Sequence, residues 1–253
     1  MDSHCGRLHV VAVGAHIHDA EVMAGHLIAL YTSAGHRGTF VHATPGEKGS
    51  QALSADQYRP VKLAEARRTA RRLGADVRFL PYADAELPLD HPTRLHFAAL
   101  FRELRPDIVL THWRGSFHSD HWRTHCLVMD GLQMAADPSV DVPGTPHRTP
   151  WVFFPENWED MTGFQPEILV DISAVYDRWH AAMMEQGLFR GEVSRFRYRE
   201  YYEGLSVVRG ARAWTERAVV LMRSPFSSHR ASQLPDWRIP AQAQAPEREG
   251  GSR

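Results

Sequence analysis

Short apolar runs alternate with longer amphipathic stretches along most of the chain. This alternation restricts the fold more than any other feature, because strand and helix periods in turn are the pattern of βα units around a parallel sheet. LHVVAVGA (8–15) reads as a buried first strand, and the segment from Asp19 to Ala34 as its helix, closed by Gly35. GTFVHAT (38–44) reads as a second strand, TPGEKGSQALSADQY as a loop with turn chemistry throughout, and VKLAEARRTARRLG (61–74) as a helix ending at a glycine. DVRFLPY (76–82), HPTRLHFAALFRELR (91–105) and PDIVLTH (106–112) repeat the unit, and a helix from Asp120 to Ala136 follows. WVFFPE (151–156) and PEILVDI (166–172) read as strands, SAVYDRWHAAMMEQ (173–186) as a helix, and 194–222 as a helix followed by a last strand. The expected fold class is α/β, a mostly parallel sheet with helices on both faces. From Ser232 the chain turns rich in Pro, Gln, Arg and Glu, so one domain is expected over 1–231 and a disordered tail over 232–253.

Charge and composition narrow the partners. A net charge of −1 over 253 residues supplies no basic surface for nucleic acid and no polybasic segment for anionic membrane, which leaves small neutral molecules. Cys5 and Cys126 form no CxxC pair, which suits a reducing compartment. The N-terminus lacks the basic flank and apolar core of a signal peptide, and no run of about 18 apolar residues is present. A cytoplasmic protein is expected.

Ligands of open parallel sheets bind at the carboxyl ends of the strands. Two polar clusters fall there: His16, His18, Asp19 and Glu21 after the first strand, and His112, His118, Asp120, His121 and His125 within THWRGSFHSDHWRTH (111–125). Two imidazoles and a carboxylate suit a divalent metal with a position left open, as in hydrolytic zinc sites. His118-Ser-Asp120 also has the His-x-Asp spacing of a non-haem iron triad, although that triad normally sits on a β barrel. No GxGxxG turn follows the first strand and no GxSxG is present, which argues against a dinucleotide site and a Ser-His-Asp hydrolase.

AHIHDAE (15–21), ATPGEKGS (43–50), EARRTARRLGADVRFLPYADAEL (65–87), HSDH (118–121) and FQPEILVDIS (164–173) together resemble, in that order, the PIG-L/LmbE-like deacetylases. These are zinc hydrolases that remove acetyl from N-acetylglucosamine units of small conjugates. The resemblance implies a Rossmann-like three-layer fold, Zn2+ or another divalent ion such as Fe2+, a small N-acetylated amino-sugar conjugate as substrate, and a homo-oligomer. It implies His16, Asp19 and His121 as metal ligands and His118 as the group that stabilises the oxyanion or protonates the leaving amine. Asp120 would orient His118, cap the next helix, or do both. Glu47 matches the family's TxGE element and either accepts from sugar hydroxyls or is a solvated loop carboxylate; Asp84 matches a position that lines the family's sugar pocket, or caps the next segment. Lys62 stands where the family often has arginine, losing its bidentate fork. Trp113, Arg114, Trp122 and Arg123 flank the second cluster and are candidates for a stacking wall.

Residue 18 departs from the family pattern, which usually has an aspartate there as general base on the attacking water. Three readings of His18 follow: a base competent near neutral pH, a further metal ligand, or a change that abolishes hydrolysis in favour of another reaction or of binding.

Overall fold

The computed structural model describes residues 6–160 and 162–225. The expected tail, 232–253, lies outside the described residues. Seven strands form one sheet: β1 (His9–Gly14), β2 (Arg37–His42), β3 (Asp76–Phe79), β4 (Ile108–Thr111), β5 (Trp151–Pro155), β6 (Ile168–Asp171) and β7 (Ala218–Arg223). Their order is β3-β2-β1-β4-β5-β7-β6. The first five run parallel, and β7 lies antiparallel between β5 and β6.

Six helices cover the sheet: α1 (Asp19–Ser33), α2 (Ala55–Arg72), α3 (His91–Leu104), α4 (Ser119–Ala136), α5 (Tyr176–Met183) and α6 (Tyr198–Ala213). β1 shows why both faces must be covered. All six of its residues are buried, with Val10 and Ala12 in the core beneath α1, α5 and α6, and Val11 and Val13 in the core beneath α3 and α4. A strand buried on both faces reads as one apolar run rather than an alternating one.

Two elements differ from expectation. Helix α2 starts at Ala55 rather than 61, because the Ser54 hydroxyl accepts the Gln57 N–H while the Gln57 side chain accepts the Ser54 N–H, a capping box inside a loop-like stretch. Pro60 is then carried within the helix. The expected 173–186 helix divides into a 3-10 turn, Ser173–Val175, and α5, which ends at Met183. No helix among the described residues is long and apolar enough to cross a membrane.

Candidate metal centre

The chain reverses its direction of strand addition between β1 and β4, and the loops after β1 to β5 meet at this switch point. His16, His18 and Asp19 follow β1, Glu47 lies on a 3-10 turn after β2, Asp84 follows β3, His118, Asp120 and His121 open α4, and Glu159 follows β5. Gly14 brings the head of α1 onto the strand end: a Cβ there would stand 2.8 Å from the Ala20 nitrogen.

Asp19 Oδ2 is the convergence point. It accepts the His16 N–H at 2.8 Å and lies 3.1 Å from His16 Nδ1 and 3.1 Å from His121 Nε2. The far nitrogen of each imidazole faces carboxylate: His16 Nε2 is 3.1 Å from Asp84 Oδ1 and 3.4 Å from Asp120 Oδ2, and His121 Nδ1 is 2.8 Å from Glu159 Oε2. Carboxylate behind imidazole is the arrangement that orients metal-binding histidines.

Three groups of donor atoms lie within 4.8 Å of one another: His16/His118/His121, Asp19/His112/His121 and His16/Asp84/Asp120. The expected His16, Asp19 and His121 are thus spread over groups that overlap through His16 and His121, and Asp19 Oδ2 lies within 3.1 Å of a nitrogen of each of these two. His112 is a poorer donor than its position suggests, because its Nε2 already accepts the Ala15 N–H at 3.0 Å. Two imidazole nitrogens and a carboxylate oxygen, in a site where the His16 and Asp19 side chains keep 13% and 14% exposure, fit a divalent ion by donor chemistry.

The electrostatics are those of charges held together. Burial opposes a proton on His121, but the Asp19 and Glu159 carboxylates outweigh it and raise the imidazole to about 9. Burial likewise opposes charge on His16, and Asp19, Asp120 and Asp84 reverse that effect. Burial would raise Asp19, whereas His121 and His16 hold it well below the ordinary carboxylate range.

His118 caps α4, its Nδ1 accepting the Asp120 N–H at 3.2 Å, so its Nε2 carries the proton in the neutral ring. Its ring centroid is 4.9 Å from that of His16 and 4.7 Å from that of His121. The Asp120 carboxylate accepts the Ala85 N–H at 2.8 Å and lies 3.4 Å from His16 Nε2, and the cap of α4 is His118, which corrects the expectation that Asp120 caps that helix.

His18 precedes α1 with φ 110°, a strained conformation for a side chain of this size, and its N–H donates to Glu21 Oε2 at 3.0 Å. Its buried ring leans edge-on to Tyr198, and Nδ1 lies 2.7 Å from Gln186 Oε1. Burial, and after it the Lys62 ammonium, lower this imidazole to about 4. None of the three donor groups contains it.

Other expectations change on inspection. Lys62 is buried and donates to the Ile17 carbonyl at 2.6 Å, which ties it to the loop before His18. Glu47 is buried and held by Arg59 at 2.7 Å. Asp84 accepts the Lys48 N–H at 3.0 Å and turns its other oxygen to His16. Trp113 is buried and donates to the Thr162 carbonyl at 2.7 Å, and with Arg114 it lines an open cleft, whereas Phe117 and Trp122 stand exposed. Sequence reasoning missed Glu159 and Gln186. Glu159 had a usable signal, its place directly after a strand; Gln186 had none.

Residues 11–132 match the family model for PIG-L, described as GlcNAc-PI de-N-acetylase. Over 215 residues, 80% of each chain, the protein is 26% identical to 4-oxalmesaconate hydratase of Pseudomonas putida. Over 168 residues, 54% of this chain and 58% of the other, it is 30% identical to 1D-myo-inositol 2-acetamido-2-deoxy-alpha-D-glucopyranoside deacetylase of Thermobifida fusca. The fold is shared with a conserved protein of Thermus thermophilus, at TM-score 0.76 and 26% identity, covering 87% of this chain and 96% of that one. The chain is thus similar to the PIG-L family over residues 11–132.

Proposed function

We propose that the protein is a metal-dependent amide hydrolase that removes acetyl from a small N-acetylated amino-sugar conjugate. The observation that carries this reading is the convergence of His16 and His121 on Asp19, each imidazole backed by carboxylate, beside a third imidazole whose Nε2 carries its proton. His16, Asp19 and His121 would hold the ion, with zinc proposed and iron(II) the other candidate. A divalent ion held there lowers the pKa of water and polarises an acyl oxygen.

In this reading His18 takes the proton of the attacking water and returns it toward the leaving nitrogen. The His118 Nε2–H donates to the acyl oxygen as negative charge develops there. Asp84 and Glu47, whose Oε2 has no hydrogen-bond partner among the described residues, are the candidates for sugar hydroxyl contacts.

A second reading, addition of water to an activated carbon–carbon double bond, is favoured by the hydratase match over 80% of each chain and by the absence of the usual aspartate at residue 18. Acetate release from N-acetylglucosamine conjugates, measured with zinc-loaded wild type, His18→Ala and His18→Asp, separates the two. Deacetylation predicts release by wild type and its loss in His18→Ala with zinc still bound. No release from wild type that binds zinc stoichiometrically overturns it; turnover of an unsaturated dicarboxylate would then establish hydration.

A further inference from the structure

We infer that Gln186 is a positioning residue that holds His18 as the Nδ1–H tautomer, leaving Nε2 as the bare, proton-accepting nitrogen. The inference rests on the reading of His18 as the base, and adds what prepares it.

The tautomer follows from a chain of buried hydrogen bonds. Thr69 sits on α2, and its hydroxyl lies 3.1 Å from the Glu65 carbonyl and 3.3 Å from the Ala182 carbonyl. Both neighbours are acceptors only, so the hydroxyl proton is committed to one of them and the oxygen is left to accept. The Gln186 side-chain amide donates to that oxygen at 3.3 Å. Turning the amide over would set Oε1 against a hydroxyl with no proton to offer. The amide oxygen must therefore face His18, at 2.7 Å from Nδ1. A carbonyl oxygen can only accept, so Nδ1 donates. Neutral imidazole carries one ring proton, and Nε2 is then a lone pair.

The surroundings keep this arrangement. His18, Gln186 and Thr69 are at most 1% exposed, so water does not compete for the bonds. The ring is fixed by the Tyr198 edge contact at 4.9 Å between centroids, and its backbone is fixed by Glu21. His18 Nε2 is buried and has no hydrogen-bond partner among the described residues, as expected of a nitrogen reserved for a ligand proton rather than for the fold. An aspartate at residue 18 would need no such relay, because a carboxylate has no tautomer to choose. The Gln186 and Thr69 pair thus accounts for how a histidine is made to serve at this position. Both α5 and the turn carrying Gln186 lie beyond residues 11–132, the part of the chain matched to the family.

The test is histidine 15N and 13C NMR on the metal-free full chain, with His18 assigned by its absence from His18→Ala. Wild type should show protonated Nδ1 and bare Nε2. Gln186→Leu should lose that signature, and Gln186→Glu, which still accepts, should keep it. Thr69→Val, which frees the amide to turn, should give a mixture, with Thr69→Ser restoring the single form. A wild-type Nε2–H tautomer, or a signature unchanged in Gln186→Leu, overturns the inference whatever the enzyme's activity. With zinc bound, kcat should fall on the order of 10–100-fold in Gln186→Leu while KM stays level; a rise in KM alone would overturn the positioning role. If wild type releases no acetate yet the NMR result stands, the failure belongs to the proposed reaction and the tautomer assignment survives.

Discussion

Glu159 offers the sharpest test of the metal centre, because no argument from motif placed it there. Its Oε2 lies 2.8 Å from His121 Nδ1, with side-chain exposures of 9% and 3% for the carboxylate and the imidazole. An ion held by His121 would withdraw charge from the ring and strengthen its hydrogen bond to the carboxylate behind it. A full unit charge about 4 Å away is worth about 4 kcal/mol at an effective dielectric of about 20, which bounds the effect from above. The ring gains only part of a charge, and loss of such outer partners typically costs about 10–100-fold in metal affinity, or about 1.4–2.7 kcal/mol. Glu159→Gln preserves shape and an acceptor, so it should fall near tenfold, and Glu159→Ala nearer a hundredfold by the same scale. Zinc affinity is read by competition with a chromophoric chelator, with His121→Ala as the reference for a lost ligand. Glu159→Ala binding zinc within about twofold of wild type, while His121→Ala binds poorly, would refute the outer-partner role; unchanged binding in His121→Ala would refute the ligand set itself.

Asp160 should make stability depend on pH. Burial pushes its carboxyl up to about 7 against the Asn157 amide that donates to it, and its Oδ1 has no partner. Between the unfolded value near 3.8 and about 7 the folded state holds the extra proton, so stability falls as pH rises through that window and stays lost above it. The loss is at most about 4 kcal/mol, so chelated Asp160→Asn should match wild type in thermal unfolding near pH 4 and exceed it at pH 8; a gap independent of pH would refute this. Lys62→Met should lower stability by about 1–3 kcal/mol by leaving the Ile17 carbonyl unpaired. A raised KM with unchanged thermal stability would instead return Lys62 to the substrate.

The legible part of the molecule is the part governed by local pattern. β1, α1 and the strand-end positions of His16, Asp19 and His121 follow from an apolar run closed by polar residues, because a parallel sheet leaves only its carboxyl edge for such groups. The first turn of α2 is hidden because Ser54, Gln57 and Pro60 have the composition of a loop, and only the reciprocal hydrogen bonds distinguish a cap. Proximity along the chain pairs Asp120 with His118, whereas its approach to His16 Nε2, at 3.4 Å, joins residues that follow different strands and has no mark in the spacing. Gln186 reaches His18 across 168 residues, a contact with no local signature.

The place of β7 in the sheet sets an order for assembly. Among the described residues β6 pairs only with β7, and β7 is the last strand. The strands that bring His16, Asp19 and His121 together can pair among themselves as soon as β4 is made, whereas β6 has no edge to join until residues 218–223 arrive. The stretch that carries Gln186 and Tyr198 is therefore a long excursion closed at the end, at the entropic cost of a large loop. His16, Asp19 and His121 can thus be gathered before the stretch that buries His18 has an edge to close against.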